Sequence, residues 1–156
     1  MPEDQAAPLF RRAVFSDLPA IVAMLADDEL GAKREDTRLP LRDEYLQAFE
    51  AINRDPNQFL AVAEIEGKVV GCLQITFIPG LSRIGLWRGQ IESVRVSRDC
   101  RGGGIGRKMI IWAIEQCRAR NCGAVQLTTD KSRLDAHRFY KSLGFIDSHE
   151  GMKLTL

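Results

Sequence analysis

The chain has 156 residues, 45% of them hydrophobic and 28% charged, a composition suited to one globular domain with a sizeable core. Lys plus Arg number 22 against 21 for Asp plus Glu, so no global field favours nucleic acid or an anionic membrane. No apolar run approaches the ~18 residues of a spanning helix, the N-terminus lacks a secretory h-region, and a cytoplasmic protein is expected. Four cysteines without a C-x-x-C pair, and two histidines, argue for free thiols in a reducing compartment and against bound metal.

Met1 to Pro8 reads as a loose tail, with one domain from residue 9 to residue 156. Leu9 to Val14 is a short strand. Ser16 is placed to cap a helix that tolerates Pro19 in its first turn, with Ile21, Met24, Leu25 and Leu30 as its buried stripe. From Asp27 to Pro40 the chain is almost wholly charged and reads as a solvated connection. Tyr45, Leu46, Phe49 and Ile52 stand at helical spacing and are stopped by Asp55-Pro56-Asn57. Phe59 to Ile65 and Lys68 to Ile78 form a hairpin about Glu66-Gly67, and Gly71 inside the second strand marks a bulge or close packing. In the loop that follows Pro79, the side chains of Arg83, Trp87 and Arg88 are open to substrate contact, to a second subunit, or to packing.

The stretch from Ile91 to Arg107, IESVRVSRDCRGGGIGR, carries the most information. A β-run with Val94 and Val96 breaks at Ser97 and passes through Arg101-Gly102-Gly103-Gly104-Ile105-Gly106-Arg107. A helical pattern then extends to about Arg120, with Met109, Ile110, Ala113, Ile114 and Cys117 on its buried side. Strand, glycine turn and helix N-terminus make an anion site, because the first helical N–H groups have no partner within the helix. The spacing fits neither a Walker loop nor a dinucleotide G-x-G-x-x-G; it fits R-x-x-G-x-G at Arg101, Gly104 and Gly106. Asn121 to Gly123 stops the helix, and Ala124 to Thr128 is a further strand. A last helix follows, with Ala136, Phe139, Tyr140 and Leu143 on its inward face and Gly144 beyond its end. Phe145 to Asp147 and Met152 to Leu156 read as a closing hairpin.

The R-x-x-G-x-G loop after a V-x-V strand, followed by Ala136 to Phe145 as A-x-x-F-Y-x-x-x-G-F, resembles the GNAT superfamily of N-acetyltransferases. The resemblance implies an α/β fold: a single GNAT-like domain whose mixed, splayed central sheet is flanked by about four helices. It implies acetyl-CoA as cosubstrate, no metal, and a small-molecule or peptide amine as acceptor, with neither nucleic acid nor membrane as partner and a homodimer left open. The coenzyme is expected along the backbone of Val94, Arg95 and Val96 and the loop residues Arg101, Gly102, Gly103, Gly104, Ile105, Gly106 and Arg107. Arg101 is equally suited to bracing the loop from behind. Two residues are expected in the chemistry. Glu92, placed by strand alternation on the face of Val94 and Val96, would draw the proton from the amine; Tyr140 would serve the leaving sulfur. Arg133 stands where many members carry Asn, so that contact is not expected here. The resemblance also implies that the region between the first two helices borders the acceptor pocket, and with it a second reading in which Asp27, Asp28 and Glu29 attract a cationic amine. The alternatives are an acyl-CoA-binding regulatory domain without turnover and a nucleotide-binding protein.

Overall fold

A computed structural model describes residues 6–156. The tail expected at residues 1–8 lies, over its first five positions, outside the described residues. Two compact units follow one another, Met1–Gln126 and Leu127–Leu156.

The first unit holds a five-stranded sheet in the order β1-β2-β3-β4-β5: β1 (Leu9–Arg12), β2 (Gln58–Ile65), β3 (Lys68–Ile78), β4 (Arg88–Val96) and β5 (Ala124–Gln126). The first three pairings are antiparallel and β4–β5 is parallel, giving the expected mixed sheet. Strand alternation sends Leu60, Val62 and Cys72 to one face, where α1 (Leu18–Ala26) and α2 (Asp43–Arg54) cover them with Leu18, Ile21, Met24 and Phe49. The other face belongs to α4 (Ile105–Ala119), which buries Met109, Ile110, Ala113 and Cys117. Two glycines permit that approach. A Cβ on Gly71 would stand 2.6 Å from Met109 Sδ, and one on Gly89 would stand 2.2 Å from Cys117 Sγ. Gly71 thus serves close packing, and the β2–β3 register also shifts beside it, between Ala63 and Glu64.

Three sequence expectations are corrected. Ser16 caps nothing: it sits inside a short 3-10 turn, Phe15–Asp17, and α1 starts from Asp17. Asp17, 6% exposed, accepts hydrogen bonds from the Arg11 guanidinium at 2.7 and 3.1 Å and from the Val14 amide at 2.8 Å. The strand expected from Ala124 to Thr128 ends at Gln126. The closing hairpin does not form, since residues 145–156 carry no strand and Ile146, Met152, Leu154 and Leu156 are exposed. Alternation alone does not make a strand; a two-stranded ribbon needs a further ladder or a buried face to be stable.

Between β3 and β4 lies a single turn, α3 (Ser82–Gly85), in which Arg83 and Ile84 take φ of 55° and 61°. The second unit contains α5 (Leu134–Ser142). No helix among the described residues is long and apolar enough to cross a membrane.

Candidate active site

The R-x-x-G-x-G segment links β4 to α4 through a 3-10 turn, Arg98–Cys100. Gly102 and Gly104 have φ of 83° and 79°, the left-handed region that costs an L side chain about 1–2 kcal/mol, and a Cβ at either would meet nothing within 4 Å. Gly104 is the residue from which α4 starts. Among the described residues, no loop or cap hydrogen bond is donated by the amides of Gly102 to Arg107, and the first turn of α4 has no earlier helical carbonyls to serve. The Ile105 side chain is buried, so only its backbone faces the loop, whereas Arg107 is exposed. Open glycines, unengaged N–H groups and the positive end of a fifteen-residue helix suit a diphosphate.

Arg101 does not project freely over the loop. Its Nε donates to the Val96 carbonyl at 3.1 Å, and Nη2 reaches the Asp27 carbonyl and Oδ2, each at 3.2 Å. Arg98 holds the other Asp27 oxygen at 2.6 Å. The acidic run after α1 is therefore engaged by arginines. Asp27 takes Arg98 and Arg101, and Asp28 lies 3.6 Å from Arg95 Nη2 while accepting the Gly31 amide. Tyr45 orders the same connection by donating to Glu35 Oε2 at 2.6 Å and accepting from the Asp36 amide. Asp27 and Asp28, two of the three carboxylates considered for attracting a cationic amine, thus both have guanidinium partners. Glu29 alone of the three stays outward, 4.0 Å from Lys33.

β4 carries a feature with no glycine to announce it. Ser93 has φ 55°, and the β3–β4 register passes from Gln74 opposite Glu92 to Cys72 opposite Arg95. Between those pairs Leu73 of β3 alone faces two residues of β4, Ser93 and Val94, which defines a β-bulge. The bulge reverses the alternation, so Glu92 shares its face with Arg95, while Val96, opposite Gly71, falls on the other. The expectation that Glu92 lies on the face of Val96 is corrected accordingly. Glu92 is exposed, Val94 to Val96 are half-buried, and the Arg95 guanidinium donates to the Val94 carbonyl at 2.9 Å. Pairing of β4 with β5 covers only Arg88, Gly89 and Gln90, although β4 continues to Val96, so β5 leaves the β4 edge unpaired from Ile91 onward.

In the second unit, Tyr140 is half-buried on α5, between the rings of Phe139 at 5.1 Å and Phe145 at 5.8 Å. The helix ends in a Schellman motif: Gly144 at φ 93° donates to Lys141 O, and Phe145 N donates to Tyr140 O. The Phe145 ring packing on Tyr140 is the apolar contact that accompanies this cap. Arg133 precedes the helix, and His137 Nε2 lies 3.0 Å from the Asp130 carbonyl. No cluster of three or more metal-ligating side chains occurs among the described residues.

Glu92, Val94 to Val96 and Arg101 to Arg107 therefore lie on one continuous strand–loop–helix of the first unit, and Tyr140 on the helix of the second. The bulge at Ser93 and the arginine clasp on Asp27 are absent from the sequence reading.

Residues 22–145 match the model of the Acetyltransferase (GNAT) family. Over 105 residues, 67% of this chain and 68% of the relative, the sequence is 33% identical to the aminoalkylphosphonate N-acetyltransferase of Salmonella typhimurium. It is 33% identical over 90 residues to the glucosamine 6-phosphate N-acetyltransferase of Trypanosoma brucei brucei, spanning 59% of that protein. A crystal structure named as a transcriptional regulator from Bacillus halodurans C-125 superimposes with a TM-score of 0.93 at 48% identity, over 96% of this chain and 99% of the other.

Proposed function

Because the chain belongs to the Acetyltransferase (GNAT) family, we propose that it moves the acetyl group of acetyl-CoA to a primary amine of a small molecule or peptide, by direct attack with both reactants bound. The observation that carries this reading is the β4–α4 junction, where glycines at positive φ and unengaged amides precede a helix dipole. Acetyl-CoA supplies an acyl group already activated as a thioester.

The residues of the chain do the rest. The amides of Gly102 to Arg107 hold the diphosphate, with Arg101 bracing the loop through Asp27 and Val96. The β4 edge that β5 leaves unpaired, at Val94, Arg95 and Val96, offers backbone groups to the pantetheine arm. The Val94 amide donates to the carbonyl oxygen as it becomes negative; loss of one such donor costs about 3 kcal/mol in other acyl-transfer enzymes. An alkylammonium is protonated at neutral pH, so Glu92 draws its proton away through water. As the N–C bond forms the C–S bond breaks; the sulfur takes a proton from Tyr140, assigned on the motif in which it stands, and the nitrogen sheds its second proton through water, which restores the phenol. Holding both reactants side by side carries much of the acceleration. The two N-acetyltransferase relatives act, by their names, on amines that also bear a phosphonate or a phosphate, and such amines head the acceptor panel. Four free cysteines accord with a cytoplasmic setting.

The name of the Bacillus halodurans structure favours a second reading, an acyl-CoA-binding regulatory domain without turnover. Thiol release from acetyl-CoA across a panel of amines separates the two. The enzyme reading expects release that depends on the amine and falls roughly 10²-fold in Glu92→Gln and in Tyr140→Phe. Coenzyme binding without release by any amine supports the regulator. Unchanged turnover in both variants removes the assigned roles.

A further inference from the structure

The register of the sheet aligns polar side chains where a buried face would carry apolar ones. Gln58 stands opposite Thr76, Thr76 opposite Gln90, and Gln90 opposite Gln126, one unbroken row across β2 to β5. The next row on the same face runs Leu60, Gln74, Glu92.

The row is cross-linked. Gln58 Oε1 accepts from Gln74 Nε2 at 2.9 Å and from Thr76 Oγ1 at 3.0 Å. Gln126 Nε2 donates to Gln90 Oε1 at 2.6 Å, and Arg88 Nη1 donates to Gln126 Oε1 at 3.3 Å. Among the described residues no side-chain hydrogen bond engages Gln58 Nε2, Gln74 Oε1 or Gln90 Nε2, and none of the three is a buried unsatisfied atom, so they are accessible to solvent. The face thus keeps donors and acceptors in hand, locked in orientation by their neighbours.

Charge is disposed along β4 with equal economy. Arg88, Gln90 and Glu92 alternate onto this face, ahead of the bulge at Ser93, placing a cation and an anion about 13 Å apart at Cα with an amide between them. Arg88 is half-buried and has no carboxylate partner among the described residues; its one side-chain bond is to the neutral Gln126. A guanidinium with donors in reserve, on a face of oriented amides, suits a phosphate, phosphonate or carboxylate.

We propose that this face is the acceptor platform: Arg88 holds an anionic group of the acceptor, the amide row reads its polar middle, and Glu92 receives the proton of the amine at the other end. The acceptor class is a primary amine bearing a phosphate, phosphonate or carboxylate. The proposal rests on the acetyltransferase reading above and adds to it the residues that choose the acceptor.

The test pairs each ω-aminoalkylphosphonate with the amino alcohol of the same length and compares kcat/KM in the wild type, Arg88→Met and Arg88→Lys. The wild type is expected to prefer the phosphonate at least about tenfold, Arg88→Met to bring the ratio near unity, and Arg88→Lys to restore part of it. Calorimetric titration of the phosphonate without coenzyme gives a second readout, in which Arg88→Met weakens binding about tenfold and Gln90→Leu weakens glucosamine 6-phosphate more than the bare alkyl compound. A wild type without anion preference, or an Arg88→Met protein that keeps the ratio and the affinity, overturns the proposal while the transferase reading stands. Absence of thiol release with every amine overturns the transferase reading instead, and the calorimetric arm then decides whether the face binds the anion.

Discussion

Asp27, just past the end of α1, is the counter-ion of Arg101, the first residue of the glycine loop, at 3.2 Å; the two are 74 positions apart in the chain. The same arginine holds the last carbonyl of β4 at 3.1 Å, so helix, strand and loop meet at one guanidinium.

Arg101 is 46% exposed and Asp27 30%, which limits what their pairing contributes to stability. Arg101→Met and Asp27→Asn are each expected to lower stability by less than about 1 kcal/mol. The coenzyme should feel them more, because the loop loses its brace: affinity falls roughly three- to tenfold, read by calorimetry with coenzyme A. Unchanged affinity in both variants would mean that the loop keeps its shape without the clasp.

Gly104 starts α4 at φ 79°, with open space where a Cβ would project. Gly104→Ala therefore meets no atom, and its cost is backbone strain alone, about 1–2 kcal/mol in chemical denaturation. If the loop relaxes to a negative φ instead, the first-turn amides of α4 turn away, and coenzyme affinity should fall about tenfold or more while stability hardly changes. A variant with both quantities unchanged contradicts the role given to this conformation.

Asp17 offers a stability test away from the site. The Arg11 guanidinium holds its carboxyl below the usual aspartate range, against the opposing pull of burial, with the Val14 amide adding to the same side. A folded-state pKa below the unfolded one gives stability that is complete above the unfolded value, near ~3.9, and is lost as pH falls through the folded value. With Arg11 30% exposed, Asp17→Asn should cost about 2 kcal/mol at pH 7, discounted for solvent screening from the roughly 3–5 of a fully buried pair. The deficit should shrink below about pH 4, where the wild type loses its own advantage. Denaturant midpoints measured from pH 7 to pH 3 check this, and a deficit independent of pH would assign the effect to packing.

Local chemistry was legible in the sequence wherever a single stretch of chain determines the outcome. Gly102 and Gly104 at positive φ, the Gly144 cap behind Tyr140, and the apolar side of α4 all follow from glycine conformation or helical spacing. What escaped depends on pairing between distant segments. Ser93 takes its positive φ because β3 and β4 fall out of step, and no residue type marks that. The row from Gln58 to Gln126 exists only once four strands are in register. Met152, Leu154 and Leu156 show the converse, a strand-like alternation with no ladder to join.

The central claim is that the unengaged amides of the β4–α4 junction hold the coenzyme diphosphate and direct the acyl group along the open edge of β4. Titrating coenzyme A into uniformly 15N-labelled protein, and following the backbone amides one by one, tests it most directly. The account predicts saturable shifts concentrated at Gly102 to Arg107 and at Val94 and Val96. Saturable shifts elsewhere in the sheet, with the amides of Gly102 to Arg107 unmoved, would contradict it.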